Sequence, residues 1–123
     1  FKSKATASVK NAFDEKASSE KKQELVKSIM ETIDAGHPVE IGITRKRGTG
    51  HAVVAIGYTF YYSDVRLFCL DPGYDLAQTA FWNTIIDISY SEPVKAIYSD
   101  KYFTPDGNLE KVIVDEILTI DEE

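Results

Sequence analysis

The apolar residues of this chain change their spacing once, near residue 38, and that change limits the folds open to it. Before it, from Glu20 onward, Leu25, Val26, Ile29, Met30 and Ile33 make one stripe at helical spacing. Gly36 is placed to end that helix and Pro38 cannot continue it. Met30 in such a stripe reads as core. After it, the apolar residues fall in short β-branched runs at 39–43, 51–58, 65–70, 94–98 and 112–120, with Gly48, Gly50 and Pro72-Gly73 marking turns. Pro105-Asp106-Gly107-Asn108 is a turn signal that makes the last two runs a terminal hairpin. One N-terminal helix packed on a mostly antiparallel β-sheet is the economical solution, an α+β class.

Residues 1–19 are rich in Lys, Ala and Ser, and Val9 and Phe13 are their only sizeable apolar pair, so a linker or loose helix is expected there. Residues 20–123 then form the folded unit, since 123 residues suit one domain of about 100 to 150. No apolar run approaches the roughly 18 residues that cross a bilayer as a helix, so no membrane span is expected. The net charge of −6 argues against a nucleic-acid partner, because phosphate binding needs clustered Lys and Arg. Most of the excess acid lies in residues 100–123, with 8 acidic and 2 basic side chains, and reads as a solvated face.

The runs at 51–58 and 65–70 are joined by a short connection around Tyr61 and Tyr62, which makes them an antiparallel hairpin. With the turn centred on Tyr61, Gly57 faces Val65, Val53 faces Cys69, and His51 falls opposite Asp71. Directly opposed residues share a face with Cβ atoms about 4.5 to 5.5 Å apart. A His held by an Asp is the arrangement of a general base, the carboxylate fixing one ring nitrogen and stabilising the imidazolium. Gly50, just before His51, leaves backbone room for a substrate. Against this stands a purely structural pairing of a strand end with a turn residue, and a one-residue slip in register would separate the two side chains.

Other chemistry-bearing residues read more blandly. His37, between Gly36 and Pro38, is a turn residue. Arg45, Lys46 and Arg47 either guide an anionic substrate or simply solvate a hairpin tip, the second being the commoner case. Phe81 and Trp82 either wall a cleft beside the His and Asp or close the core under a loop. The single cysteine, Cys69, excludes an intrachain disulfide, and inside an apolar strand it reads as a small buried hydrophobe rather than a nucleophile. Two histidines among scattered carboxylates have no metal spacing, and neither a metal nor a cofactor is expected.

The order Ile33-Asp34-Ala35-Gly36-His37-Pro38-Val39, then Gly50-His51-Ala52-Val53-Val54-Ala55-Ile56-Gly57-Tyr58, then Leu70-Asp71-Pro72-Gly73 resembles the C-terminal half of papain-like cysteine peptidases. It is most similar to the bacterial branch that includes the bacteriocin leader-peptide peptidases, over about residues 25–88. The resemblance implies the sheet lobe of a papain-like fold across 20–123, His51 as general base and Asp71 as its orienting carboxylate. It also implies peptide-bond hydrolysis by a Cys-His-Asp triad; beside that pair, the reading of the residues puts Gly50 and Trp82 on the substrate side.

The family's nucleophilic Cys and the Gln before it stand in an N-terminal half that has no counterpart here. Gln23 and Gln78 are in the wrong places, and Cys69 is in the wrong element. Half an active site is expected, with a cleaved or separate N-terminal half as partner, a truncated chain, or a non-catalytic relic that binds; a homodimer is the fallback assembly. Val53, Ala55, Phe81 and Trp82 are the apolar residues expected on the surface meant for that partner. The start at Phe1 favours a cut or truncated chain, and for compartment the expectation is secretion or the cell surface.

Overall fold

Helix α1 (Glu15–Asp34) ends where the sequence places its stop. Gly36 takes a φ of 88°, its N–H bonds the Ile33 carbonyl at 2.9 Å, and the His37 N–H reaches back to Thr32 at 3.1 Å. These two bonds satisfy carbonyls the helix leaves free, and the left-handed φ is one that glycine alone adopts cheaply. Leu25, Val26 and Ile29 form the buried stripe of the helix.

In the computed structural model, which describes residues 2–8, 15–45, 48–72, 82–90 and 100–121, every other element is a strand. These are β1 (Lys2–Ser8), β2 (Val39–Arg45), β3 (Gly50–Tyr61), β4 (Asp64–Leu70), β5 (Thr84–Ser89), β6 (Asp100–Phe103) and β7 (Leu109–Asp121). Strand β1 and the first turn of α1 lie within the stretch where a linker or loose helix was expected.

All pairings are antiparallel and run β1-β7-β2-β3-β4-β5-β6, with β6 returning to pair β7. Six strands, β2 to β7, therefore close into a barrel. The length of β7 makes closure possible: its first residues pair β6, its last pair β1 along the same edge, and β2 covers the other edge. The expectation of a helix laid on an open sheet, the sheet lobe of a papain-like fold, is thus corrected to a β-rich closed barrel with one helix. The physical reason is β6. Four residues are too few to announce a strand by alternation, yet pairing them on both sides removes the two free edges of the sheet.

The terminal hairpin is present, but its first strand is β6; the expected run at 94–98 lies outside the described residues. Strand β5 was not anticipated, because Asp87 breaks its apolar pattern while being buried itself. Asp87 is neutralised by Arg66 directly across from it, at 2.8 and 2.9 Å.

Inward residues of all six barrel strands make one core with the helix: Ile41, Val53, Leu67, Ile86, Tyr102 and Ile117 are among its members. One polar tie crosses it. Lys22 of α1 bonds Asp100 of β6 at 2.6 Å and the Val114 carbonyl at 2.7 Å, and all but a few per cent of both side chains is hidden from solvent. Val53 and Ala55, expected on a partner-facing surface, are fully inside this core. Among the described residues, the exposed large apolar ones are Ile56, Phe60, Tyr61, Tyr62, Trp82 and Leu109.

Candidate active site

Strands β3 and β4 meet in a tight hairpin, but its turn is centred between Tyr62 and Ser63 and not on Tyr61. Tyr61 pairs Asp64, and Tyr62 sits at the tip with a φ of 55°, a conformation for which glycine or asparagine is the usual sign. Pairing then runs Phe60 with Val65 and Tyr58 with Leu67, not Gly57 with Val65. Continued unbroken, this three-residue offset is odd and would place His51 and Asp71 on opposite faces.

A β-bulge at Ile56 removes one residue of the offset. Beyond it Ala55 pairs Cys69 and Val54 pairs Leu70, so by continuation Asp71 faces Val53 and His51 lies diagonally across on the same face. A diagonal separation of about 7 to 8 Å is within reach of an imidazole. The His51 Nε2 stands 2.9 Å from the Asp71 Oδ2. With Nε2–H donated to the carboxylate, the neutral ring keeps its lone pair on Nδ1, which makes Nδ1 the nitrogen able to take a proton.

The carboxylate is fully buried while the imidazole is a quarter exposed. Asp71 is fixed by two residues that the sequence did not point to. The Asn83 side chain bonds both backbone groups of Asp71, accepting from its N–H at 2.7 Å and donating to its carbonyl at 3.2 Å, and the Asn83 N–H bonds the Cys69 carbonyl at 2.9 Å. These bonds carry the strand-like pairing one step past the end of β4. Tyr102, from the closing strand β6, donates its hydroxyl to the Asp71 Oδ2. A buried tyrosine needs a hydrogen-bond partner, which is a sign of some role, but its partner depends on barrel closure.

Cys69 sits on the same face as Asp71, two residues before it, and has no solvent exposure. Burial first, and the Asp71 charge second, push its thiol well above the ordinary 9.0, so it stays protonated and unreactive at neutral pH. The nucleophile of a Cys-His-Asp triad is therefore not Cys69.

Gly50 opens β3 and lines, with Gly42, Thr44, Ala52, Glu116 and His51, an open depression of about 430 Å³. Trp82 packs on Phe68 at 5.2 Å between ring centroids. Phe68 alternates with the buried Leu67 and Cys69, so Trp82 lies against the outer face of β4 and not on the face that carries His51. Arg45 pairs Glu110 at 3.4 Å and lies over the Tyr102 ring; Lys46, Arg47, Gln78 and Phe81 are outside the described residues. His37 lines a smaller depression with Ile33, Gly36, Pro38 and Ile56, away from Asp71. Among the described residues no group of His, Cys, Asp and Glu side chains has the geometry to hold a metal ion.

A family model described as the Peptidase_C39 like family matches residues 2–99, which include all of β3, β4 and the His51–Asp71 pair. The chain belongs to that family. Membership in the Peptidase_C39 like family supports a domain related to papain-like cysteine peptidases and the general terms hydrolase and cysteine peptidase-like. No curated protein and no solved structure was matched by the chain. Within this family member, the fold that carries the pair is the closed barrel described above.

Proposed function

We propose that this chain supplies the base and orienting carboxylate of a cysteine peptidase whose nucleophile lies on another polypeptide segment, either the N-terminal half of the same protein, cleaved or not, or a separate chain. The observation that carries the reading is the His51–Asp71 bond; with Nε2–H donated to the carboxylate, Nδ1 is the nitrogen that takes a proton. In the reaction, His51 Nδ1 takes the proton of an incoming thiol as its sulfur attacks a peptide carbonyl. It then passes that proton to the leaving amine, giving a thioester that water hydrolyses with the same base. Asp71 holds the ring in the required tautomer and stabilises the imidazolium. Gly50, which lines the depression beside His51, is proposed on the substrate side, while Trp82, on the outer face of β4, is not; the branch is proposed to be that of the bacterial leader-peptide peptidases.

A second reading, a non-catalytic binding or scaffold module, is favoured by one observation: the single thiol of the chain is buried and held protonated. The gene upstream of Phe1 discriminates. A Cys at the opening of an apolar helix, with Gln shortly before it, supports the peptidase, and co-expression of that segment with residues 1–123 should give peptide hydrolysis. His51→Ala in that assembly should then lower kcat by about 100-fold to 10,000-fold. Residues 1–123 alone should be inactive. A full-length gene without such a Cys, and no separate nucleophile-bearing chain co-purifying, leaves only the binding module. Size exclusion with mass measurement reports the partner: co-purification with the upstream segment, or failing it a second copy, is expected, and a lone 13.8 kDa monomer counts against both.

A further inference from the structure

Among the described residues, two donors share the Asp71 Oδ2. One is His51 Nε2 at 2.9 Å; the other is the hydroxyl of Tyr102, which donates to that same oxygen. Tyr102 is fully buried on the closing strand, its ring centroid lies 5.9 Å from that of His51, and the Arg45 guanidinium carbon stands 5.6 Å over its ring. A tyrosine there for packing alone could bond any nearby carbonyl, but this one bonds the carboxylate atom on which the base depends.

We infer that Tyr102 is a positioning residue that sets how strongly Asp71 holds the His51 proton, an inference that rests on the assignment of His51 as the base. The hydroxyl locks the carboxylate orientation, so the Nε2–H tautomer of His51 is the one that bonds, and Nδ1 stays available. It also withdraws charge from Oδ2. A carboxylate with no second donor would stabilise the imidazolium more strongly, and a base that holds its proton too tightly releases it poorly to the leaving amine. The donor and the imidazole are therefore opposed: the stronger the Tyr102 hydrogen bond, the less tightly Asp71 holds a charged His51.

The test is an NMR titration of the His51 ring signals in residues 1–123, which needs no nucleophile and no activity. With Tyr102→Phe, the midpoint should move to higher pH by about half a unit or more. With 3-fluorotyrosine placed at position 102, a more acidic donor of nearly the same size, it should move to lower pH. The second substitution preserves the core, so the prediction stands even where Tyr102→Phe does not fold. Opposite displacements are not produced by a packing role. Midpoints that stay at the parent value in the fluorinated protein, or that move upward there, overturn the inference. Failure of the assembled peptidase to hydrolyse peptide would instead sink the assignment of His51 as base and leave the titration result standing.

Discussion

His51 and Asp71 are bonded at 2.9 Å although they do not face each other across their strand pair. The bulge at Ile56 converts an odd offset into an even one and brings them to one face. It also lets Val53 and Ala55 point inward on one side of the bulge while Tyr58 packs on the core from the other.

Deleting Ile56 should leave the faces of β3 intact. With the extra residue gone, Ala55 and Gly57 become neighbours that pair Cys69 and Phe68 without interruption, so Val53, Ala55 and Tyr58 keep their inward faces. Urea unfolding should show a change of less than about 1 kcal/mol. The His51 ring signals should still respond to Asp71→Asn. A loss of roughly 2 to 5 kcal/mol, the range for emptying buried apolar sites, would show that the bulge itself is required.

Lys22 is predicted to be the most sensitive charged residue of the helix. Its ammonium is matched by Asp100, which also accepts the Val114 N–H at 2.8 Å. Lys22→Met leaves a buried carboxylate without its counter-charge and should cost about 3 to 5 kcal/mol. Adding Asp100→Asn removes the orphaned charge while keeping an acceptor for Val114, so the double variant should recover part of the loss. Equal stabilities for the single and double variants in chemical denaturation would refute the coupling.

Cys69 ties stability to alkaline pH. Its thiol is raised in the folded protein, first by burial and then by Asp71, from the ordinary 9.0 that applies to the unfolded chain. Above pH 9.0 the unfolded chain gives up this proton and the folded chain keeps it, so the contribution is present below that pH and is lost as pH rises. The slope from this group is at most about 1.4 kcal/mol per pH unit. Comparing the parent with Cys69→Ala in urea between pH 8 and 10 should show a fall in the parent that is shallower in the variant. Parallel curves would exclude the thiol as the source.

Arg66→Lys should destabilise the protein although it keeps the charge. The Arg66 guanidinium makes two parallel bonds to the buried Asp87 and stacks on Tyr61, its central carbon 3.8 Å from the ring centroid. A lysine ammonium reproduces neither the fork nor the stacking. A loss of about 1 to 2 kcal/mol is expected in thermal or urea unfolding. An unchanged midpoint would mean that charge alone holds Asp87 in the sheet.

The features legible in the residues are those that nearby residues control. Helix α1 stops at Gly36 because a left-handed cap and Pro38 act within one turn, and the last hairpin turns at Pro105 to Asn108 for the same reason. Cys69 was readable as buried from its apolar strand, and His51 with Asp71 from parity along a short hairpin. Even there the turn residues misled: Tyr62 occupies a position where glycine is the usual sign, so the register was miscounted, and the bulge restored the face. Closure of the barrel, the Tyr102 and Asn83 contacts to Asp71, and the Lys22–Asp100 pair depend on strands and a helix far apart in the chain. Periodicity says which face of an element is apolar, but not which distant element will cover it. That choice is made by how all the faces can be buried together, so the surroundings of Asp71 were decided by the tertiary structure alone.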